Sequence, residues 1–211
     1  MKQLKHSGTI AASVLIIGIF LFPTFNAFAA SGEGLVEKGR EQFGNADYQS
    51  ALLTFRDIVL NSSMEGQHGE AYFWIARSYM AMDELDKAEQ NLEFFLSEYA
   101  SHPRYPEALY QKGRLLHLQE EYQKSIRQLY RYIEEYPSHP YKANAYFWVG
   151  ESFYALGHYD KSEAIFSLVV RDFPKSYKVE AAKYRLYLID LKRREEELLK
   201  LLKMSHGEYL K

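Results

Sequence analysis

The sequence contains no cysteine, and this absence removes several classes of function. Disulfide bonds, thiolate nucleophiles, cysteine-ligated zinc and the lipid-modified cysteine of bacterial lipoproteins are all excluded. An excess of positive charge is also lacking, because 26 lysines and arginines stand against 28 aspartates and glutamates. This balance does not favour nucleic acid or an anionic membrane surface as a partner.

Catalytic and metal-binding motifs are absent as well. There is no glycine-rich phosphate loop and no His-Glu-x-x-His sequence. His102 and His139 lie in matching Ser-His-Pro segments, but no carboxylate repeats with them, so we interpret them as turn residues rather than metal ligands. We therefore expect a protein that is not an enzyme and that uses no cofactor.

Long hydrophobic runs are scarce, and the clearest one lies at the N-terminus. Lys2 and Lys5 precede the apolar run Ile10–Phe22, which a proline interrupts before Ala27-Phe28-Ala29. This order predicts a secretory signal peptide over residues 1–29 and export to the periplasm or the cell exterior as a soluble chain. The alternative is an uncleaved N-terminal membrane anchor, since residues 10–30 nearly reach the length that spans a bilayer.

The sequence does contain a repeat of 37 residues. The segment Ala71–Tyr79 returns almost unchanged as Ala145–Phe153, and a weaker copy lies midway at Ala108–Arg114. A small residue recurs at Gly39, Ala76, Gly113 and Gly150, and a large apolar residue recurs at Phe55, Leu92, Leu129 and Phe166. A period of this size indicates a solenoid built from one repeated supersecondary unit.

Each unit is predicted to be a pair of antiparallel helices. Apolar residues fall at helical spacing over 70–82 and again over 86–99, with the polar turn Asp83-Glu84 between them. The small residues leave room for the large residues of the facing helix. Pro137 and Pro174 end the second helix of their units, because proline lacks the N–H and clashes inside a helix.

These columns resemble the tetratricopeptide repeat over roughly Leu35 to Leu202. The match includes the small residue of the first helix, the terminal prolines, and the start of the second helix at Tyr48/Ala51, Tyr122/Ser125 and Tyr159/Ser162. The longer turns at 136–141 and 173–177 resemble a cell-envelope subgroup. It includes the CpoB/YbgF-type coordinator associated with Tol–Pal and the BamD-type assembly lipoprotein. The chain departs from both, because it lacks a lipobox cysteine and an N-terminal coiled coil.

The resemblance implies an all-α fold. We expect a right-handed superhelical solenoid of about four helix pairs, followed by a C-terminal capping helix or helix pair. The predicted divisions are a signal peptide 1–29, a linker 30–34, units 35–69, 70–105, 106–142 and 143–178, a degenerate cap 179–204, and a tail 205–211. The charged, leucine-rich run Lys192–Lys203 is either a solvated cap or a helix that docks on a partner.

The resemblance also implies that the first helices line a concave face, where residues one period apart form stripes. Three arginines and a glutamate share one stripe, and aromatic residues lie beside them. The candidate binding residues are Arg40, Phe73, Arg77, Tyr110, Arg114, His117, Phe147, Glu151 and Tyr154. Arginine and aromatic side chains suit a peptide with acidic groups. The alternative is that the arginines pair with Glu41, Glu107 or Glu151 of neighbouring repeats.

The expected function is that of an exported scaffold or adaptor that binds a protein or peptide partner, in cell-envelope assembly or maintenance. A structural subunit of an outer-membrane assembly or transport complex, docked by its C-terminal helix, is the alternative. A cell-wall enzyme or its activator would require a carboxylate pair in a cleft, and the sequence offers none that we can place. The fold class alone does not name the partner.

Cleavage of the signal peptide is directly testable. We expect protein recovered from the envelope fraction to begin near Ala30, because small residues at positions 27 and 29 fit the cleavage pattern. Intact-mass measurement checks this. A mass that includes the first 29 residues, in a carbonate-resistant membrane pellet, would show an anchor instead.

Overall fold

The computed structural model describes residues 32–209, with side chains placed to residue 205, and this part of the chain is helical throughout. A short 3₁₀ helix, Ser62–Gln67, joins the second and third α-helices. In chain order the α-helices are α1 Gly32–Gly44, α2 Tyr48–Leu60, α3 His68–Ala81, α4 Leu85–Glu98, α5 Tyr105–Leu118, α6 Tyr122–Glu135, α7 Lys142–Ala155, α8 Tyr159–Asp172 and α9 Val179–Tyr209.

The helices pack as successive pairs along a solenoid. Helices α1 and α2, α3 and α4, α5 and α6, and α7 and α8 form the pairs, and each second helix also packs against the first helix of the next pair. The first helices also contact one another, α1 with α3, α3 with α5 and α5 with α7. They therefore line the inner, concave side. The predicted all-α superhelical solenoid of four helix pairs with a C-terminal helix is confirmed.

A close approach within each pair explains the column of small residues. A Cβ atom added at Gly150 would lie 2.7 Å from a ring carbon of Phe166, and one at Gly113 would lie 2.5 Å from a methyl carbon of Leu129. The hydroxyl of Ser162 donates to the carbonyl oxygen of Gly150 at 2.9 Å. Because Gly150 has no side chain, the two helix backbones come close enough for this hydrogen bond.

The turn inside each pair also repeats. Ala46, Asp83, Glu120 and Gly157 have positive φ angles between 61° and 74°, and successive members lie 37 residues apart. A left-handed residue after a helix is a common way to end it, and glycine adopts this conformation most readily. The predicted turn at Asp83-Glu84 lies in this column.

In each turn between pairs, a side chain accepts a hydrogen bond from a backbone N–H two residues later. His102 Nδ1 accepts from the backbone N–H of Arg104 at 3.1 Å, and His139 Nδ1 accepts from that of Tyr141 at 3.3 Å. Ser176 takes the same place in the next turn. The interpretation of the two histidines as turn residues is thus confirmed.

Helix boundaries differ from the expectation at both ends of the solenoid. Helix α1 begins at Gly32, so part of the predicted linker 30–34 is helical. Helix α9 continues without a break to Tyr209, beyond the predicted end of the cap. Helices α6 and α8 end two residues before Pro137 and Pro174, as proline requires. The predicted signal peptide, residues 1–29, lies outside the described residues.

Gly150→Leu is expected to overpack the contact between Gly150 and Phe166. Because Phe166 is fully buried and cannot move aside, the free energy of unfolding should fall by about 1–3 kcal/mol or more. Chemical and thermal melts measure the loss. Gly44→Ala is the control, since no atom lies within 4 Å of its added Cβ. An unchanged or raised midpoint for Gly150→Leu would contradict the packing role.

Candidate functional site

The concave face carries three groups of charged side chains on or beside the first helices. The first lies between α3 and α5, the second between α5, α7 and the start of α9, and the third between α7 and α9. They differ in one respect that decides their role, which is whether each cation has a carboxylate partner inside the chain.

The first group, the N-terminal ion-pair cluster, consists of Glu70, Arg77, Arg104 and Glu107. Arg104 Nε donates to both carboxylate oxygens of Glu70, at 2.7 and 2.8 Å, and its Nη1 donates to Glu107 at 2.7 Å. Arg77 Nη1 lies 3.6 Å from Glu107 Oε1. Two carboxylates neutralise two guanidinium groups, so the cluster joins successive units and offers no free charge.

Arg77 is further fixed by aromatic rings. Its guanidinium carbon lies 4.8 Å from the centre of the Phe43 ring and 4.7 Å from that of Trp74. Its side chain is only 21% exposed. The alternative interpretation of this arginine, pairing with a glutamate of the neighbouring repeat, is confirmed.

The third group, at the C-terminal end of the face, is neutral in the same way. Arg185 donates from Nε to Glu151 Oε1 at 2.6 Å and from Nη2 to the other carboxylate oxygen. Its guanidinium carbon lies 5.1 Å from the centre of the Tyr154 ring. Glu151 is therefore used to hold α9 against α7.

The second group, which we call the central basic patch, is Arg114 and Lys178. Arg114 Cζ and Lys178 Nζ each lie 5.5 Å from the centre of the Trp148 ring, so one indole supports both cations. Within the part of the chain that the structure describes, neither forms an ion pair with a carboxylate. The hydrogen bond of the Arg114 side chain is a 3.5 Å contact with the amide oxygen of Gln111.

The electrostatics of Lys178 reflect this imbalance. Burial lowers the pKa of its ammonium group, and the nearby positive charge of Arg114 lowers it further. The carboxylate of Glu151 opposes these effects from a greater distance than an ion pair. A bound anion would relieve the repulsion between the two cations.

Polar and aromatic groups surround the central basic patch. Buried Asn144 donates from Nδ2 to the hydroxyl oxygen of Tyr177, whose side chain is 73% exposed at the rim. Burial raises the pKa of Tyr110 to about 12, although the positive charge of Arg114 acts in the opposite direction. The tyrosine hydroxyl is therefore neutral near pH 7 and retains its proton to donate.

The predicted aromatic stripe lies deeper than expected. Phe73, Tyr110 and Phe147 are buried, so the expectation that they line an open groove is corrected. They pack beneath the cations instead, and Lys178 Nζ lies 4.5 Å from the centre of the Phe147 ring. Arg40 stands apart, exposed and paired within its own helix with Glu37.

His117 belongs to a chain of hydrogen bonds that crosses from one unit to the next. The Ser152 hydroxyl donates to Ser125 at 3.2 Å, and Ser125 donates to the carbonyl oxygen of Gly113 at 2.7 Å. His117 Nδ1 lies 2.9 Å from the Ser152 oxygen. Because the Ser152 proton is already donated, the neutral imidazole carries its own proton on Nδ1.

The surroundings of His117 oppose a second proton. Burial lowers the pKa of the imidazole to about 4, and the positive charges of Arg185 and Arg114 act in the same direction. His117 was predicted as a groove residue, but in the structure it packs against Trp148, with 4.9 Å between the ring centres. Its clearest role is in joining two units.

Several residues of this face were not predicted, among them Glu70, Arg104, Asn144, Trp148, Lys178 and Arg185. The repeat contained a signal for Lys178 and Arg104. Stepping back by 37 from Lys178 gives Tyr141 and then Arg104, so this column leads into the face from the inter-unit turns. The prediction followed three columns within the first helices, so it omitted the turns, which hold Lys178 and Arg104, and the other helical columns, which hold Asn144 and Trp148.

Among residues 32–209, no group of three or more His, Asp or Glu side chains is arranged to hold a metal ion. Within the same residues, no helix combines the length and the apolar character needed to cross a membrane.

The low pKa of His117 predicts a stability loss in mild acid. As pH falls from about 6.5 towards 4, His117 becomes protonated in the unfolded state but stays neutral in the folded state. Protonation therefore stabilises the unfolded state, and the free energy of unfolding decreases. Partial exposure keeps the loss near 1–3 kcal/mol. Denaturant melts of the original chain and of His117→Asn at pH 7 and pH 4.5 measure it.

The substituted chain is expected to lose less stability between the two pH values. Burial also lowers the pKa of His102 and His139, so the original chain and the His117→Asn variant both lose some stability in acid for this reason. Only the difference between their stability losses reports on His117. Parallel pH profiles would contradict the assignment.

Comparison with protein families supports the architecture. A family model described as tetratricopeptide repeat matches residues 75–140, and a second model with the same description matches residues 144–176. A search among curated proteins found no matching relative.

Solved structures agree on the fold. Pseudomonas aeruginosa PilF superposes with a TM-score of 0.63 at 13% identity, covering 78% of this chain and 69% of its own. TPR-like repeats of a Podosopora anserina putative kinesin light chain give 0.61 at 17% identity, covering 81% and 92%. MamA from Desulfovibrio magneticus gives 0.59 at 14% identity, covering 83% and 96%. Residues 75–140 and 144–176 are thus tetratricopeptide repeats, and the solenoid as a whole has a tetratricopeptide-like fold.

Proposed function

We propose that this chain is an exported, non-enzymatic scaffold that binds an acidic segment of a partner protein on its concave face. Tetratricopeptide repeats are typically protein-interaction modules, and the family matches support that general role. The finer assignment, to the concave face and to an acidic ligand, depends chiefly on the central basic patch of Arg114 and Lys178.

The balance of charge along the concave face supports the central basic patch as the binding site. The N-terminal ion-pair cluster and the Glu151–Arg185 pair are already neutral, so neither attracts an anion. The central basic patch lies between them with two partly buried cations and no ion pair of its own. A carboxylate placed between Arg114 and Lys178 would form charge-assisted hydrogen bonds, which contribute about 1.5–3 kcal/mol each.

The surroundings of the patch suit a peptide rather than a free ion. Tyr177 stands exposed at the rim, and Trp148 supports both cations from below. Exposed aromatic surface beside a charged anchor is a frequent arrangement in peptide recognition. An acidic side chain would occupy the patch while its neighbours in the peptide contact the Tyr177 ring.

The cell envelope is the proposed location, with a role in assembly or maintenance. This part of the proposal is supported by the signal-like sequence of residues 1–29 and by the resemblance of the long inter-unit turns to envelope proteins. Likeness to PilF and MamA supports the fold only.

Binding of a labelled hexaglutamate peptide, compared with hexaglutamine, tests the acidic specificity. We expect the chain to prefer hexaglutamate and the preference to weaken with added salt, because exposed ionic contacts are screened. Replacing Arg114 and Lys178 by glutamine should weaken hexaglutamate binding about tenfold or more. Fluorescence anisotropy measures both affinities.

Lys124→Gln with Arg131→Gln is the matched control. These two substitutions remove as much positive charge as the test substitutions, but from the outer helix α6, where Lys124 and Arg131 are exposed. If the control and the test substitutions weaken binding equally, the central basic patch is not the site.

A photo-crosslinker at Tyr177 in intact cells tests the natural partner. The Arg114 and Lys178 substitutions should reduce the captured protein, while helicity stays unchanged. A second candidate, docking through the C-terminal helix, is favoured by the exposed Leu198 and Leu202. If serine at these two positions abolishes capture and the patch substitutions leave it intact, that candidate replaces the groove.

A further inference from the structure

The C-terminal helix α9 carries an apolar stripe that no other described part of the chain covers. Its members are large apolar residues that are between 41% and 60% exposed, which is unusual for so many on one helix. They are spaced three, four or seven residues apart, so they share one face of the helix, and Arg194 and Glu195 occupy the turn between Leu191 and Leu198. The stripe consists of Tyr184, Tyr187, Leu191, Leu198, Leu201 and Leu202.

The stripe lies opposite the face that α9 presents to the solenoid. Ala182 and Ile189 are buried against α8, and Leu186 packs beside them. At 3.6 residues per turn, Ala182 and Ile189 lie about half a turn from Tyr187 and Leu198. A second helix on the stripe would therefore not compete with the solenoid.

Beyond residue 193 the helix projects from the solenoid. Arg193 donates to Glu163 of α8 at 2.6 Å, and among residues 32–205 this is the most C-terminal ion pair between α9 and another helix. From that point to residue 205 every side chain is exposed. A projecting helix of this length is marginally stable in water by itself, so packing on a partner would stabilise it.

The charges on the projecting segment are arranged as two blocks. Lys192, Arg193 and Arg194 are followed directly by Glu195, Glu196 and Glu197. If two copies run antiparallel about the point between the blocks, each basic block faces the acidic block of the other copy. In a parallel pair like charges would lie side by side, which is unfavourable.

The same alignment matches the apolar residues. It places Leu191 opposite Leu198 and Tyr187 opposite Leu202, and the reciprocal contacts follow by symmetry. A twofold contact of this kind requires a surface complementary to itself, which the two opposed blocks provide. Charge and apolar pattern thus select one partner and one direction.

We propose that α9 pairs with α9 of a second copy of this chain, antiparallel, through the stripe and the two charge blocks. The two solenoids then lie at opposite ends of the paired helices, each on the outer side of its own α9. This proposal is independent of the central basic patch, and both concave faces stay open in the dimer.

The mass in solution is the first test. Protein purified after expression of the whole chain should sediment as a dimer that dissociates on dilution. Leu198→Ser with Leu201→Ser should shift it to monomer with the solenoid still folded, as judged by its thermal melt. Lys200→Ser is the control, because Lys200 is also exposed but lies two residues after Leu198, about half a turn away around the helix.

A charge exchange tests the partner's identity. Variant A carries Lys192→Glu and Arg194→Glu, and variant B carries Glu195→Lys and Glu197→Lys. Arg193 is kept because it pairs with Glu163. Each variant alone should be monomeric, an equal mixture should form a dimer of A with B, and a chain with all four substitutions should again pair with itself.

The direction is tested with single cysteines, since the chain has none of its own. Tyr184→Cys should not form a disulfide with itself, because antiparallel copies place the two sites about 30 Å apart. A mixture of Tyr184→Cys and Ser205→Cys should crosslink. Tyr184 self-crosslinking would overturn the antiparallel arrangement.

A monomer at all concentrations would overturn the proposal as a whole. So would a dimer that survives both leucine substitutions. Capture of a different protein by a photo-crosslinker at Leu198, without self-capture, would assign the stripe to that protein and would equally contradict pairing between copies.

Discussion

The fold depends on one contact, the meeting of a small residue, glycine in three units and Ala76 in the other, with a large apolar side chain of the facing helix. Phe166 against Gly150 and Leu129 against Gly113 set the distance between the helices of a pair. Because the contact recurs every 37 residues, each pair takes the same shape and stacks on the next in the same way. Stripes of side chains on the concave face exist only because this spacing is kept.

The charged side chains of that face differ in whether they have a partner of opposite charge within the chain. Where a glutamate from the next unit reaches an arginine, as Glu107 reaches Arg77, the pair fixes one unit on another. Breaking such a partly buried pair leaves an uncompensated charge, so these residues are poor candidates for ligand contacts. Arg114 and Lys178 differ because the column that holds Glu70 and Glu107 continues as Asn144, which is neutral. One change of residue type in one repeat thus separates a structural arginine from an available one.

The sequence predicted the solenoid, its period and the small residues, since each of these repeats at a fixed step. It placed Arg77, Arg114 and Glu151 in one stripe but could not separate their roles. Pairing depends on residues 30 or 34 positions away, Glu107 for Arg77 and Arg185 for Glu151. The burial of Phe73 could not be predicted from the repeat period either. A 37-residue step aligns residues along the solenoid but does not tell whether they point into the core or towards solvent.

The left-handed turns have a consequence for engineering. Three of the four, at Ala46, Asp83 and Glu120, place a residue with a side chain where the fourth has Gly157. Such a conformation is less favourable for these residues than for glycine by roughly 1 kcal/mol each. The turns are a full repeat apart, so their effects should add independently. An idealised version of this solenoid therefore has room for greater thermal tolerance at the tips of its hairpins, without alteration of any residue on its concave side.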